Sequence, residues 1–229
     1  MTRASQKVEL NALRATLDRR FRTATSMVAL GGREVKLLHP ASAEDLIDET
    51  EFERDERLPY WADVWPSARV LAGVLAAQKG TGRSLLELGC GSGLVATAAA
   101  LAGFDVCATD YYEDALLFTR LNVWQNSGSC PHTRLVDWRH VPTDLGRHDL
   151  VVGSDVLYEK AYGSLVARAI DMTLAHGGEA IVADPGRVAA PDFLQDAAQR
   201  GLHVSAQQQV PFEEGQIRQR IDLYHLRRA

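Results

Sequence analysis

Cysteine is scarce in this chain: Cys90, Cys107 and Cys130 are the only three in 229 residues. Their spacing matches no metal-binding pattern, so no metal site is expected. An odd count fits a reducing compartment rather than a disulfide framework. No apolar run approaches bilayer length, and the first residues lack a signal-peptide hydrophobic region. Their Arg-rich, Ser/Thr-containing character has some likeness to a transit peptide, which Glu9 and Asp18 oppose. The expectation is a cytoplasmic chain with no membrane partner. Basic charge is also lacking: the formal net charge is −5, with no footprint for nucleic acid. There is no internal repeat and no low-complexity linker.

What is present is an ordinary globular composition, 46% hydrophobic and 24% charged, in a length that suits one well-buried α/β domain. Charge is uneven. Arg3 to Arg22 is basic and Glu44 to Glu56 strongly acidic, the latter read as a solvated helix face. Residues 1–57 are expected to form an N-terminal extension packed on a core domain of residues 58–229. The extension comprises an amphipathic helix over Val8 to Phe21 and a hairpin. Its strands, Met27 to Leu30 and Glu34 to Leu38, flank Gly31-Gly32. An acidic helix is expected next, from a Ser42 cap to about Phe52.

The core domain alternates strand and helix. Pro66 suits the first turn of a helix running to about Lys79. Strands are predicted at Ser84–Leu88, Phe104–Thr109, Thr133–Val136, His148–Gly153 and Gly178–Ala183. Helices are predicted at Leu94–Ala102, Tyr112–Gln125, from beyond Tyr158 to about Ala175, and at Pro191–Arg200. Leu202–Gln208 and Ile217–Leu226 form a final strand pair without an intervening helix. The fold class is therefore α/β and Rossmann-like, a seven-stranded, mostly parallel sheet with an antiparallel C-terminal strand and helices on both faces.

The chain is organised around Ser84-Leu-Leu-Glu-Leu-Gly-Cys-Gly-Ser-Gly93 and the strand that ends at Asp110. Gly89, Gly91 and Gly93 form a turn between strand and helix, where backbone can approach a ligand closely. A dinucleotide fingerprint reads GxGxxG and sets a pyrophosphate on the helix N-terminus. Here the pattern is GxGxG, with Leu94 in place of the last glycine and Glu87 two residues before the first. An acidic neighbour repels a pyrophosphate and suits a ligand carrying an ammonium group. Asp110 can accept from both ribose hydroxyls. A nucleoside with a cationic amino-acid tail fits, and S-adenosylmethionine is that molecule. The bland alternative is a ligand-free turn.

Other candidates surround this cradle. Trp65 is read as a cofactor contact, and Tyr60 and Trp61 as substrate-side residues, against the alternative that the aromatic cluster is core. Asp137 can accept from an adenine amino group and Trp138 can wall the ring, or simply pack. Tyr111 and Ser154, beside Asp110 and at the fourth strand's end, are assigned to the cofactor. Asp155 and Tyr158 are the candidate catalytic pair. Asp155 can hold and orient an incoming ammonium, and Tyr158 can position a cationic side chain with its aromatic face. The competing role for Asp155 is a cap on the following helix. Asp184 and Arg187, around the tight Pro185-Gly186 turn, either shape an acceptor pocket or fix a loop by an ion pair.

Together, Pro59-Tyr-Trp-Ala-Asp-Val-Trp-Pro66, Glu87-Leu-Gly-Cys-Gly-Ser-Gly93, Val136-Asp-Trp138 and Ser154-Asp-Val-Leu-Tyr158 resemble the family-16 seven-β-strand protein lysine methyltransferases. The resemblance runs from about Leu58 to the C-terminus. Asp184-Pro-Gly-Arg187 and Pro59-Tyr-Trp-Ala62 are most similar to the branch acting on the electron-transfer flavoprotein β-subunit. That branch continues from Trp-Pro into glycines, where this chain has Ser67-Ala68. The resemblance implies a class I methyltransferase fold and lysine Nε-methylation, with S-adenosylmethionine as cofactor and S-adenosylhomocysteine as product. It implies that Trp65, Glu87, Gly89, Asp110 and Asp137 lie on the cofactor and Asp155 and Tyr158 at the acceptor lysine. The partner would be a protein with an accessible lysine, that β-subunit being one candidate, met by a monomer. Three rivals are weighed: a nicotinamide-like small-molecule N-methyltransferase acting on a small amine, an NAD-dependent oxidoreductase, and a non-catalytic cofactor-binding scaffold. In the first, the N-terminal helix would cover the acceptor.

Overall fold

A computed structural model describes residues 3–46 and 58–228. The N-terminal helix α1 spans Arg3–Arg20, starting earlier than the apolar spacing from Val8 indicates. Strands β1 (Thr23–Leu30) and β2 (Arg33–Pro40) form the expected hairpin around Gly31 and Gly32, both at positive φ. The Ser42 hydroxyl accepts from the Glu44 backbone N–H. Within the described residues, however, the hydroxyl leads only into one 3-10 turn, Glu44–Leu46. The rest of the expected acidic helix lies outside the described residues.

The core domain carries α2 (Pro66–Ala76), β3 (Ser84–Leu88), α3 (Leu94–Leu101), β4 (Asp105–Asp110), α4 (Glu113–Ser127) and β5 (His132–Leu135). Next come β6 (His148–Ser154), α5 (Tyr162–Thr173), β7 (Leu174–Asp184), α6 (Ala190–Gln199), β8 (Leu202–Glu214) and β9 (Ile217–Arg228). No α-helix is predicted between Val136 and His148, and none is present there. β5 and β6 are joined by two short 3-10 turns, Trp138–His140 and Thr143–Leu145, and no α-helix. Pro142 interrupts that segment, and three or four residues of 3-10 turn are too few to propagate a helix.

The sheet order is β5-β4-β3-β6-β7-β9-β8. β3 to β7 pair in parallel, and β9 runs antiparallel to both β7 and β8. Side chains alternate across the sheet, as the pleat requires. Leu85, Val152, Ile181 and Ala183 enter one apolar cluster with α2 and α3. Leu86, Val151, Ala180 and Val182 enter a second with α5 and α6. Both faces are thus covered.

The hairpin belongs to the first cluster through Val28, Leu30, Val35 and Leu37. Each such side chain contributes on the order of 1.5–3 kcal/mol, which anchors a hairpin that alone would be marginal. α1 packs elsewhere: Leu17 joins Trp61, Phe118 and Leu121 in a third cluster on α4.

Strand order reverses at β3, whose neighbours are β4 and β6. Ligands bind at such a switch point, outside the strands' carboxyl ends.

Candidate active site

One cavity of about 880 Å³ opens at this switch point. Its lining includes Glu87 on β3 and Gly89 after it, Asp110 at the end of β4, Asp137 and Trp138 after β5, Ser154 at the end of β6 with Asp155, Val156 and Tyr158 beyond it, and Arg187 after β7. Tyr60, Trp61, Trp65, Gly91 and Tyr111 also line it, whereas Gly93 and Asp184 do not.

The three glycines of the turn all have positive φ, at 70°, 52° and 83°, a region that penalises any Cβ. They differ in surroundings. A Cβ on Gly91 would meet the Trp61 carbonyl oxygen at 2.9 Å, and one on Gly93 would meet Thr119 Oγ1 at 2.6 Å. At Gly89 the new atom would instead meet side chains alone, Val156 at 3.2 Å and Trp138 at 3.4 Å. Two of the three glycines are therefore required by protein packing.

Asp110 is nearly buried, at 6% exposure. Its Oδ2 accepts from Gly91 N at 2.9 Å and its Oδ1 from Tyr112 N at 3.0 Å. The acid expected on a ribose thus also ties the glycine turn to the start of α4. A carboxylate offers about four lone-pair directions, so acceptor capacity remains. Burial raises its pKa to about 6, against the lowering effect of those backbone N–H groups.

Glu87 is buried on β3, and its Oε2 has no hydrogen-bond partner. Burial first, then the charge of Asp110, pushes its carboxyl well above the ordinary range, with the Ala96 backbone N–H opposing. An unpartnered buried carboxyl oxygen costs free energy unless a ligand donor meets it. The cavity thus presents two acids and a Cβ-free approach, a set suited to a cation-bearing nucleoside.

The remaining cofactor-side candidates are held in place by neighbours. Asp137 Oδ1 caps the following 3-10 turn by accepting from Arg139 N at 2.9 Å, and its carboxylate pairs with the Arg139 side chain. Trp138 meets Tyr162 edge-on, with centroids 5.3 Å apart. Trp65 Nε1 donates to the Tyr60 carbonyl at 2.9 Å, and Tyr111 packs edge-on against Tyr112. Trp61 is largely core, between Phe21 and Phe118.

On the acceptor side, Asp155 is the one described non-glycine residue with positive φ, 57°. Such a conformation in a buried residue is sustained only by its surroundings. Its N–H donates to Ala183 O at 2.9 Å, Oδ2 accepts from Ser67 Oγ at 2.9 Å, and Oδ1 accepts from Arg187 Nε at 2.6 Å. Asp155 does not cap the next helix: α5 begins at Tyr162, with Ala161 as its N-cap. The Arg187 guanidinium also lies over the Trp65 ring, 5.2 Å from its centroid. Asp184 Oδ1 accepts from Gly186 N and Arg187 N at 2.8 and 2.7 Å. Of the two roles weighed for this segment, Asp184 fixes the loop while Arg187 both pairs and lines the cavity.

Tyr158 stands edge-on between Tyr60 and Tyr162, with centroids 5.3 and 4.9 Å away. Burial raises its pKa well above the ordinary value, so it stays a neutral phenol and cannot act as a base near neutrality. Sequence reasoning missed Ser67, Tyr162, Glu159 and Lys160. Tyr162, four residues after Tyr158, had a spacing signal in an aromatic pair. Ser67 had none, since its partner is 88 residues away.

Comparison with known proteins adds an independent line. The family described as lysine methyltransferase matches residues 49–197. The chain belongs to that family. The electron transfer flavoprotein beta subunit lysine methyltransferase of Danio rerio is 32% identical over 157 residues, covering 67% of this chain and 59% of that protein. The match thus spans about three fifths of that relative's length. Protein N-lysine methyltransferase METTL21A of Danio rerio is 33% identical over 160 residues, covering 63% of this chain and 70% of the relative. Among solved structures, magnesium protoporphyrin IX methyltransferase from Synechocystis, with bound S-adenosylmethionine, superposes with a TM-score of 0.57. It is 17% identical, covers 80% of this chain and 94% of its own, and shows the shared class I methyltransferase fold.

Proposed function

We propose that the chain is an S-adenosylmethionine-dependent methyltransferase that modifies a lysine side chain of a protein substrate. One observation carries this. A single cavity is lined by the acidic, glycine-bounded cradle of Glu87, Gly89 and Asp110 and by the Asp155–Tyr158 segment, so donor and acceptor would share one space. The cofactor would supply an electrophilic methyl on a sulfonium. Glu87 and Asp110 would meet its amino-acid and ribose ends, while Gly91, Tyr111, Asp137, Trp138, Ser154 and Trp65 complete the cofactor side. Gly93 acts through the turn. Tyr60, Trp61 and Arg187 shape the acceptor side, with Asp184 holding Arg187.

Positioning an amine about 3 Å from the methyl, in line with the bond to sulfur, accounts for much of such a rate enhancement. Asp155 orients the amine, and Tyr158 presents a neutral hydroxyl and a ring face. The bound cofactor would supply its methyl group to the nitrogen lone pair, the C–S bonding pair staying with sulfur in the S-adenosylhomocysteine product. A proton leaves the nitrogen to solvent.

A protein acceptor is preferred over a small amine because, among the described residues, Tyr60, Glu159 and Lys160 stand exposed at the cavity rim. No described residue of α1 lines the cavity. The names of the relatives make the electron transfer flavoprotein β-subunit the first substrate to try. Residues 1–57 are read as an extension seated on the methyltransferase domain of residues 58–229. No described helix is long and apolar enough to cross a membrane.

The test is incubation with methyl-labelled S-adenosylmethionine and either lysate or the purified β-subunit, followed by size fractionation. Label on a protein lysine is expected. Label confined to small molecules would move the acceptor class, and tight binding of NAD with none of S-adenosylmethionine would sink the reading.

A further inference from the structure

The carboxylate placed to receive the acceptor already has a cation. Arg187 Nε meets Asp155 Oδ1 at 2.6 Å, with the Asp155 side chain 4% and the Arg187 side chain 33% exposed. The arginine is fixed at both ends. Its backbone N–H is held by Asp184 Oδ1, and its guanidinium by Asp155 and the Trp65 face. Asp184 is itself fully buried, which makes the clamp part of the sheet end rather than a surface contact. A side chain held this way is a permanent part of the site, not a plug that leaves when substrate arrives.

This arrangement has an electrostatic consequence. Asp155 and Arg187 together carry no net charge, so a second cation entering beside them gains little from Asp155 and is repelled by Arg187. A charged amine also has to shed water to enter. A neutral amine meets neither obstacle. Asp155 retains lone pairs beyond those used by Ser67 and Arg187, and one can accept an N–H from that amine. We infer that Arg187 is a fixed counter-charge to Asp155 that makes the site take its acceptor amine uncharged. One N–H is then donated to Asp155, and the nitrogen lone pair is left for the methyl group. Arg187 acts here through Asp155, as a positioning residue.

Other charged or titratable groups also face the cavity. Glu87 on β3, Asp110 at the end of β4 and the paired Asp137 and Arg139 after β5 lie on the cofactor side, and Asp63 lies before α2. Tyr158, Glu159 and Lys160 come after β6, Tyr162 begins α5, and Asp184 stands behind Arg187 at the end of β7. Glu159 and Lys160 are exposed and of opposite sign. Among the charged side chains, the 2.6 Å contact of Arg187 is the one that engages the Asp155 carboxylate directly.

The inference rests on reading the site as an amine methyltransferase, and its test needs no protein substrate. Two near-isosteric probes are titrated into the S-adenosylhomocysteine-loaded protein at about pH 8, monitored by NMR. Ethylamine is a cation there, its pKa being near that of lysine. 2,2,2-Trifluoroethylamine is neutral, because its fluorines withdraw charge from nitrogen. The wild type should bind the neutral probe at least about tenfold more tightly. Arg187→Gln should lose or invert that preference, and Arg187→Lys should retain it. A thermal melt checks that each variant is folded; should Arg187→Gln fail to fold, the wild-type preference itself still decides. Tighter binding of the cation by the wild type, an unchanged preference in folded Arg187→Gln, or no binding of either probe would overturn the inference. If the neutral probe is favoured while the labelling experiment finds no methylated protein, the acceptor assignment fails and the role of Arg187 stands.

Discussion

Ser67 Oγ donates to Asp155 Oδ2 at 2.9 Å, joining the first turn of α2 to the end of β6 across 88 residues of sequence. Both residues are buried. The hydroxyl therefore holds the candidate catalytic carboxylate through the oxygen that Arg187 does not use. Ser67→Ala leaves Oδ2 without its donor in a buried setting, a loss of about 1–3 kcal/mol. The expected outcome is a lower Tm and a several-fold drop in methyl transfer, with S-adenosylmethionine affinity little changed. Calorimetry and initial rates separate the two effects.

Asp110 should set a pH dependence for cofactor binding. With its pKa raised to about 6 in the ligand-free fold, the acid is mostly protonated below that pH and accepts hydrogen bonds poorly. A ligand whose hydroxyls donate to it binds the ionised form, so the Kd for S-adenosylmethionine should rise as pH falls through 6. Asp110→Asn should bind weakly at all pH values and lack this inflection. Titration calorimetry from about pH 5 to 8 is the measurement.

The buried acids also shape stability. A carboxyl whose folded pKa lies above its unfolded value makes the folded state bind more protons, so stability falls as pH rises between the two values. For Asp110 the window runs from 3.8 to about 6, a cost of about 3 kcal/mol once it is ionised. Glu87 adds a loss of the same sign above its ordinary value of 4.5. Glu87→Gln keeps the shape and removes the charge. It should raise the Tm of the ligand-free protein near neutral pH while weakening S-adenosylmethionine binding, so that ligand produces a smaller Tm shift than in wild type.

The three glycines should separate by readout. Gly91→Ala and Gly93→Ala drive a Cβ to 2.9 Å from the Trp61 carbonyl and 2.6 Å from Thr119 Oγ1, and both should lower Tm markedly, by ~2 kcal/mol or more in stability. Gly89→Ala meets softer neighbours, Val156 and Trp138, at 3.2 and 3.4 Å. Its Tm loss should be smaller and its loss of cofactor affinity proportionally larger. Equal Tm losses at all three positions would contradict this division.

Much of the fold was legible because the signals are local. The apolar run from Ser84 to Leu88, closed by glycines, can be little other than a buried strand, and Gly31-Gly32 between apolar segments marks a hairpin. Between β5 and β6, where no helix is predicted, the chain makes only two turns of three residues each, so strand–helix alternation skips that unit. The part of the acceptor side that is read from spacing, Asp155 with Tyr158, was visible. Arg187 was also singled out, but neither its pairing with Asp155 nor the role of Ser67 was visible, because the two residues lie 32 and 88 residues from Asp155.

The sequence by itself determined the glycine turn, with Glu87 before it and Asp110 one strand later. Residue type and spacing alone specify a strand, a left-handed turn and an acid at the next strand's end. Tertiary structure decided what those groups do. Packing against Trp61 and Thr119 explains why positions 91 and 93 must lack a Cβ, and burial raises the pKa of Asp110 while its carboxylate ties down the turn. Convergence of α2, β6 and β7 surrounds Asp155 with a hydroxyl and a guanidinium. Such contacts depend on sheet order and register, which bring together side chains that no local pattern connects.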